Sequence, residues 1–198
     1  MSPLEALRAH VPRVVAVGAS AGAVEALLDL LPLLPADLPA PVLVVVHVPR
    51  DRSSALPALF APRCATRVVE AEDKVGAEAG TVYFAPPGYH LLVERNGGLA
   101  LSSDELVNLS RPSIDVLFES AAYAFGPQAL GIVLSGANAD GARGLACIRE
   151  HGGLGWVQDP HTARIAVMPE SAIAAAHPDA VLAPVAMGHA LAEWGAGA

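Results

Sequence analysis

The feature that most constrains the fold of this chain is a regular alternation of two kinds of segment. Short runs rich in valine and other β-branched residues alternate with stretches rich in alanine and leucine. Such alternation is typical of a mostly parallel β-sheet that helices cover on both faces. The predicted strands of this type cover residues 14–17, 42–46, 68–70, 132–134, 154–157 and 180–183. The predicted helices cover residues 23–34, 53–60, 113–125, 141–151, 169–175 and 185–194.

The rhythm changes near the middle of the chain, where three short apolar runs lie close together. They cover residues 81–85, 91–94 and 99–101, and Asn96-Gly97-Gly98 separates the last two. Asn-Gly is a strong signal for a tight hairpin, because both residues tolerate the positive φ angles of its turn. We therefore predict an antiparallel excursion in this region, followed by a polar loop over the sheet's edge at residues 102–111.

Length and composition exclude several classes of protein. The 198 residues suffice for one domain that buries a substantial core without a metal or a disulfide. Although 53% of the residues are hydrophobic, Pro or Gly interrupts the longer apolar runs before they reach the roughly 18 residues of a membrane span. Residues 1–13 lack the apolar segment of a signal peptide, so we predict a cytoplasmic protein without membrane insertion.

Charge and cysteine content narrow the possibilities further. The formal net charge of −8 argues against a nucleic-acid-binding surface, which needs clustered Lys and Arg. Cys64 and Cys147 lie far apart and lack metal-ligand spacing, which favours free thiols over a disulfide. The histidines likewise show no spacing that would gather metal ligands, so we predict no metal site.

Ser20 lies at the apex of a sharp turn between the first predicted strand and the first predicted helix. The turn reads Gly18-Ala19-Ser20-Ala21-Gly22, and glycine tolerates the strained dihedral angles of such a turn. A serine presented in this way can act as a nucleophile, with the backbone N–H of Ala21 stabilising the oxyanion. Two alternatives are a helix N-cap at Ser20 and a glycine turn that cradles dinucleotide phosphates. The dinucleotide interpretation expects an acidic residue after the next strand, where this chain has His47.

Two other polar residues follow predicted strands, and together they could complete a triad with Ser20. His47 directly follows the strand at residues 42–46, and Asp140 follows the strand at residues 132–134 after a short turn. Ligands of open α/β sheets bind at the carboxyl ends of the strands. His47 would act as general base and Asp140 would orient it. The alternatives are a hydrogen-bonded core or rim residue for His47 and an N-cap of the helix at residues 141–151 for Asp140.

Taken in order along the chain, these motifs resemble the catalytic domain of the chemotaxis protein-glutamate methylesterase (CheB) family. The resemblance extends from about residue 14 to residue 194, nearly the whole chain. The segments that carry it are residues 15–22, 47–49, 85–86 with His90, 111–118, 134–142, 158–159 and 168–169. It implies an α/β fold in three layers, α/β/α, with a mostly parallel, doubly wound (Rossmann-like) sheet and a small antiparallel hairpin.

The resemblance also implies an activity and roles for three residues. The activity is hydrolysis of γ-glutamyl methyl esters on the helical cytoplasmic part of chemoreceptors, together with deamidation of certain glutamines there. Ser20 would be the nucleophile, His47 the base and Asp140 its orienter, and no cofactor is required. Both reactions are acyl transfers through a tetrahedral intermediate and an acyl-enzyme, so one site can serve both.

Two more residues are candidate substrate contacts. His90 follows a Pro-Pro-Gly turn and could line a cleft. Arg111 could attract the acidic surface of such a substrate, because guanidinium groups bind carboxylates in a forked geometry. Arg111 could equally tie down the loop before the helix that begins at Ser113.

The chain departs from the family pattern at several positions. Ala21 and Ala23 stand where the family usually has Thr and Gly, and Ala137 stands where it commonly has Met. The usual member also begins with a receiver domain, whereas only residues 1–13 precede the first strand here. We therefore predict an extension at 1–13, a stand-alone catalytic domain at 14–194 and a tail at 195–198, with any control exerted by a separate regulatory protein or by expression level.

These departures leave three hypotheses about function. The first is a methylesterase acting on methylated glutamates of a receptor-like helical protein. The second is a non-catalytic relative that keeps the fold and binds a signalling partner. The third, and weakest, is a nucleotide-binding Rossmann domain, which stabilisation by added dinucleotides would reveal.

Overall fold

A parallel sheet runs through the middle of the protein, whose computed structural model describes residues 1–47 and 55–197. The described strands are β1 (Val14–Ala19), β2 (Val42–Val46), β3 (Arg67–Glu70), β4 (Thr81–Phe84), β5 (His90–Val93), β6 (Leu99–Ser102), β7 (Ala129–Val133), β8 (Leu154–Gln158) and β9 (Ala180–Leu182). The described helices are α1 (Pro3–His10), α2 (Ala23–Leu30), α3 (Leu56–Phe60), α4 (Ile114–Phe125), α5 (Ala142–Glu150), α6 (Val167–Ala176) and α7 (Pro184–Gly195).

Seven of the described strands form one sheet in the order β3-β4-β2-β1-β7-β8-β9, and every neighbouring pair is parallel. β1 lies at the centre, where Val17 pairs with Val44 of β2 and Ile132 of β7. All residues of β1, β2 and β7 are buried, because helices cover both faces of a parallel sheet. This burial explains why these strands are continuous apolar runs rather than alternating ones.

The two faces of the sheet carry separate hydrophobic cores, which makes three layers. Val15 and Val17 of β1 point into one core, which α1, α2 and α7 complete with residues such as Leu27 and Leu191. The alternate residue Ala16 points into the other core, which α4, α5, α6 and the β5–β6 hairpin complete. The predicted three-layer α/β/α fold with a parallel sheet and a small antiparallel hairpin is confirmed.

The prediction for the middle of the chain is wrong in one respect. The run predicted at residues 81–85 is not part of the antiparallel excursion, because β4 pairs in parallel with both β2 and β3. Only β5 and β6 pair antiparallel. Their turn contains Gly97 at φ +85°, as the Asn-Gly signal predicted. The strand β4 was misassigned because its partners lie far away in the sequence while the hairpin lies close.

Two helices differ from their predicted bounds by more than two residues at one end. The helix predicted at residues 53–60 begins at Leu56 in the structure, and residues 53–54 lie outside the described ranges. The helix predicted at residues 23–34 ends at Leu30 and continues as a 3₁₀ turn over Leu31–Leu33, where Pro32 cannot donate a helical hydrogen bond. Neither difference moves the turn that presents Ser20.

The pattern of residues 1–13 did not predict α1, yet this helix packs against the core of the α2 and α7 face. Ser2 caps it, because its hydroxyl accepts the N–H of Glu5 while the Glu5 carboxylate accepts the N–H of Ser2. Ala6 and Leu7 are buried. Within residues 1–47 and 55–197, no helix combines the length and the apolar character needed to cross a membrane.

Candidate active site

Two of the predicted site residues lie side by side because their strands are neighbours. Ala19 of β1 pairs with Val46 of β2, and the N–H of His47 donates to the Ala19 carbonyl at 3.2 Å. Ser20 and His47 therefore leave the sheet together at its carboxyl end. Both line a cleft of about 330 Å³ at that end of the sheet.

Asp140 reaches the same place from the other side of β1. β7 pairs with β1, and the chain after β7 turns across the sheet end before α5 begins. The Asp140 carboxylate Oδ2 lies 2.8 Å from Nε2 of His47. The Asp140 side chain is fully buried, and that of His47 is only 13% exposed. Because Asp140 occupies Nε2, Nδ1 is the ring nitrogen that remains for a proton transfer with Ser20.

The Asp140 carboxylate is surrounded by hydrogen-bond donors. Besides His47, they are Nδ2 of Asn108 (2.6 Å), the hydroxyl of Ser113 (2.8 Å) and the N–H groups of Ile114 (2.6 Å) and Asp115 (3.2 Å). Burial by itself would raise the pKa of Asp140, but the bonds from His47, Ile114 and the other donors outweigh it and hold the pKa below its usual value. The structure therefore favours a charged carboxylate beside His47.

Asp115, a second buried carboxylate, holds the turn around Asp140 in place. Its Oδ1 accepts the N–H groups of Gly141 at 3.0 Å and Gly144 at 2.7 Å, so it caps the start of α5. Nδ2 of Asn108 donates to Asp115 Oδ2 at 2.8 Å as well as to Asp140. The two carboxylates and the Asn108 amide thus form one network at the start of α4 and α5.

The turn that presents Ser20 is fixed by Ser135, a buried residue directly after β7 and Leu134. The Ser135 carbonyl accepts the N–H of Ser20 at 2.9 Å, and its hydroxyl donates to the Ala21 carbonyl at 2.7 Å. Gly22 has φ +83°, and a Cβ there would lie 2.6 Å from the Ser135 hydroxyl, so only glycine fits. Within the described residues, the N–H of Ala21 has no acceptor and can serve an oxyanion.

Glycines, rather than Ser20 and Asp140, are the N-cap residues of α2 and α5. Gly22, not Ser20, is the N-cap of α2. Gly141 is the N-cap of α5, while the Asp140 carboxylate accepts N–H groups at the start of α4 instead. Neither Ser20 nor Asp140 caps the helix that follows it. Ser20 lines the cleft instead, and the Asp140 carboxylate is buried beside His47.

His90 and Arg111 fasten the loop between β6 and α4. His90 is 2% exposed; its Nδ1 accepts the N–H of Ser113 at 3.1 Å, and its Nε2 donates to the Glu105 carbonyl at 2.9 Å. Nη1 of Arg111 donates to the carbonyls of Ser103 and Asp104. These contacts agree with the alternative that Arg111 ties down the loop, and a substrate contact of either residue stays a prediction.

Three residues around the site had not been singled out from the sequence. Ser135 lies within the motif that leads to Asp140, but the motif does not indicate that Ser135 hydrogen-bonds to Ser20, Ala21 and Ile165. Asn108 lies in a polar loop, and Arg164 lies in the turn after β8. Arg164 lines the same cleft as Ser20 and His47, and it was missed because no local pattern links it to them.

A metal site is not apparent in the part of the chain that the structure describes. No three His, Cys, Asp or Glu side chains there are grouped closely enough to hold a metal ion. Cys64 and Cys147 are both free thiols.

The arrangement of Ser20, His47 and Asp140 at one end of an α/β/α sheet is the kind of site that serine hydrolases use. The chain belongs to the CheB methylesterase family, whose model matches residues 15–191. The crystal structure of the CheB methylesterase catalytic domain of Thermotoga maritima superposes with a TM-score of 0.88 at 30% identity, covering 92% of this chain and 98% of that one. The predicted family and the predicted class, a carboxylic ester hydrolase, agree with these matches.

Named relatives differ in how much of their length they share with this chain. A protein from Leptospira interrogans, named as a protein-glutamate methylesterase/protein-glutamine glutaminase, is 45% identical over 168 residues, which are 85% of this chain and 87% of the relative. The protein-glutamate methylesterase FrzG of Myxococcus xanthus is 38% identical over 180 residues, which are 91% of this chain but 54% of FrzG. A relative from Dechloromonas aromatica is matched over 46% of its length. The chain thus spans nearly all of one relative and about half of the others.

Proposed function

We propose that this protein hydrolyses γ-glutamyl methyl esters, and deamidates glutamines, on helical signalling proteins such as the cytoplasmic part of chemoreceptors. The observation that carries the proposal is the 2.8 Å contact of the buried Asp140 with His47, which lines one cleft together with Ser20. Family membership supplies the substrate class, because several relatives are named for both reactions. The reaction would take place in the cytoplasm, where such receptors present their helices.

In the first half of the reaction, the substrate acylates Ser20. Nδ1 of His47 accepts the hydroxyl proton while Ser20 Oγ attacks the side-chain carbonyl carbon of the substrate. The tetrahedral oxyanion accepts a hydrogen bond from the N–H of Ala21. His47 then donates the proton to the leaving methoxide, and methanol departs from the acyl-enzyme.

In the second half, water replaces the alcohol. His47 deprotonates the water, which attacks the acyl-enzyme. When the second tetrahedral intermediate collapses, His47 returns this proton to Ser20 Oγ as the bond to the acyl carbon breaks, which releases the glutamate product and restores the Ser20 hydroxyl. A glutamine side chain follows the same course with ammonia as the leaving group. Asp140 keeps the His47 ring in place and stabilises the imidazolium that forms in both halves.

Two of the alanines that depart from the family pattern are compatible with this mechanism. Ala21 contributes its backbone N–H, which does not depend on the side chain. Ala137 is exposed, so its small side chain leaves more room near the turn that leads to Asp140. The mechanism requires no cofactor.

Methanol release from a γ-methylated receptor fragment tests the proposal. Release by the native chain and its loss in Ser20→Ala is the expected result, with Ser171→Ala on α6 as a matched control that keeps full activity. Ammonia release from the matching glutamine-containing fragment tests the deamidase reaction in the same way. No release by the native chain, with stable binding of the fragment, would instead support the non-catalytic binding protein.

A further inference from the structure

Arg164 is a cation at the candidate active site with no role in the mechanism above. It lines the 330 Å³ cleft together with Ser20 and His47, and it is the single Lys or Arg among the described residues that line this cleft. It also lines a second cavity of about 200 Å³, which shares Gly22 and Glu25 with the cleft. The positive charge of Arg164 at the cleft contrasts with the formal net charge of the whole chain, which is −8.

The backbone at Arg164 is fixed relative to the nucleophile. The N–H of Ile165 donates to the Ser135 hydroxyl at 3.0 Å, and the carbonyl of the same Ser135 accepts the N–H of Ser20. The Arg164 side chain begins against Gly22, where an added Cβ would lie only 2.8 Å from the Arg164 Cβ. Ser20 and Arg164 are therefore presented by segments that share one buried hydrogen-bonding residue.

The guanidinium of Arg164 can accept a second carboxylate. Its Nη1 donates to Oε1 of Glu25 at 2.6 Å, and within the described residues Nε and Nη2 have no partner. The side chains of Arg164 and Glu25 are 67% and 58% exposed. Exposed ion pairs are weak, so a substrate carboxylate can share or replace Glu25 at little cost. Arginine suits this task because its planar donors match a carboxylate bidentately.

Arg111, the arginine that the sequence suggested for this purpose, is differently placed. Its Nη1 is engaged by two loop carbonyls, and its Nε is buried. The guanidinium of Arg164 instead pairs with Glu25, which lines the same cleft, and its Nε and Nη2 have no partner within the described residues. Arg164 therefore has the better placed guanidinium for a carboxylate that approaches Ser20.

We infer that Arg164 binds a free carboxylate of the substrate that neighbours the esterified glutamate, so that the site selects methyl esters in acidic helical segments. This inference rests on the proposed function. Residues three or four positions apart lie on one face of a helix, about 5–6 Å apart at Cβ, so a glutamate one turn away accompanies the ester into the cleft. A consequence is that each ester removed creates a carboxylate that favours hydrolysis of the next.

Two sets of helical peptides test the inference. Each peptide of the first set carries one γ-methyl glutamate and one free glutamate three or four residues before or after it; the second set has alanine in place of the free glutamate. The measurement is kcat/KM for methanol release at low salt, because screening weakens such contacts at high salt. The native chain should prefer the acidic peptide by about two- to fivefold in at least one register, the range that an exposed ion pair contributes.

Variants assign this preference to Arg164. Arg164→Gln should abolish it mainly through KM, and Glu25→Gln should strengthen it by removing the competing carboxylate. Arg67→Gln is the matched control, since Arg67 is 65% exposed, pairs with Glu78, and lies at the opposite, amino end of the sheet. It should leave the preference intact.

The outcomes separate this inference from the proposed function. Equal hydrolysis of both peptide sets by the native chain, or a preference that survives Arg164→Gln, would overturn the role of Arg164. In either case the Ser20→Ala variant would still be inactive and the proposed function would stand. Hydrolysis of no peptide by the native chain, or hydrolysis that persists in Ser20→Ala, would overturn the proposed function together with the inference.

Discussion

Replacement of Asn108 by alanine tests whether the loop before α4 holds Asp140 in its charged form. Nδ2 of Asn108 donates to Asp140 at 2.6 Å and to Asp115 at 2.8 Å. A hydrogen bond to a charged group contributes about 1.5–3 kcal/mol to stability. Asn108 as a residue is exposed, so water can replace part of what the alanine variant loses. We expect Asn108→Ala to lower the free energy of unfolding by about 2–3 kcal/mol at pH 7, of which roughly 1 kcal/mol is the pH-independent strain of alanine at the left-handed φ of +52°.

The pH dependence of this loss follows from the lowered pKa of Asp140. A carboxylate whose pKa is depressed in the folded state stabilises the protein above its unfolded pKa, about 3.9, and this stability is lost as the pH falls through the folded pKa. Removing the Asn108 amide takes away one of the interactions that depress it, so the folded pKa rises. The native chain and the variant should therefore differ most at neutral pH and progressively less below about pH 4.

Urea unfolding at a series of pH values from 7 downwards measures this difference directly. Asn96→Ala is the control, because the Asn96 side chain accepts the N–H of Gly98 in the β5–β6 turn and, among the described residues, hydrogen-bonds to no carboxylate. Its cost should be small and independent of pH. An equal cost of Asn108→Ala at all pH values, or no cost at pH 7, would refute the assignment of Asn108 as a residue that stabilises the Asp140 charge.

Two further substitutions have clear expected outcomes. Gly18→Ala should lower the free energy of unfolding by about 1–3 kcal/mol, because its Cβ would lie 2.2 Å from Cγ2 of Ile114 in a fully packed region. Gly76→Ala, which meets nothing within 4 Å, should change it by less than about 0.5 kcal/mol in the same urea titration. Asp140→Asn should reduce kcat by about 10⁴, since an amide cannot stabilise the His47 imidazolium, and a kcat within tenfold of the native value would contradict that role.

The sequence predicted the parallel part of the fold because strands that are buried on both faces consist of apolar residues throughout. Continuous apolar runs such as β1 and β2 can be recognised without knowledge of their partners, and polar residues directly after them fall at one end of the sheet. Ser20 and His47 were found in this way. β4 was misassigned because its pairing of Val82 with Val42 and Val68 is a long-range property that no local pattern carries.

The surroundings of the site were less predictable because they depend on side chains from distant segments. Arg164 is 139 positions from its partner Glu25, and Asn108 is 32 positions from Asp140. The turn before His90 indicated a cleft, but the loop carbonyl of Glu105 covers this ring in the fold. The start of helix α1, in contrast, has a local sequence signal, since Ser2 and Glu5 have the spacing of a capping box.

Covalent trapping tests most directly whether Ser20 is a nucleophile that His47 activates. The native chain is treated with a fluorophosphonate, digested, and the modified peptide is identified by mass spectrometry. We expect one adduct, on Ser20, that is absent in Ser20→Ala. It should form far more slowly in His47→Ala, and Ser171→Ala should be labelled at the rate of the native chain. No adduct on Ser20, or labelling at an unchanged rate in His47→Ala, would contradict this role of Ser20.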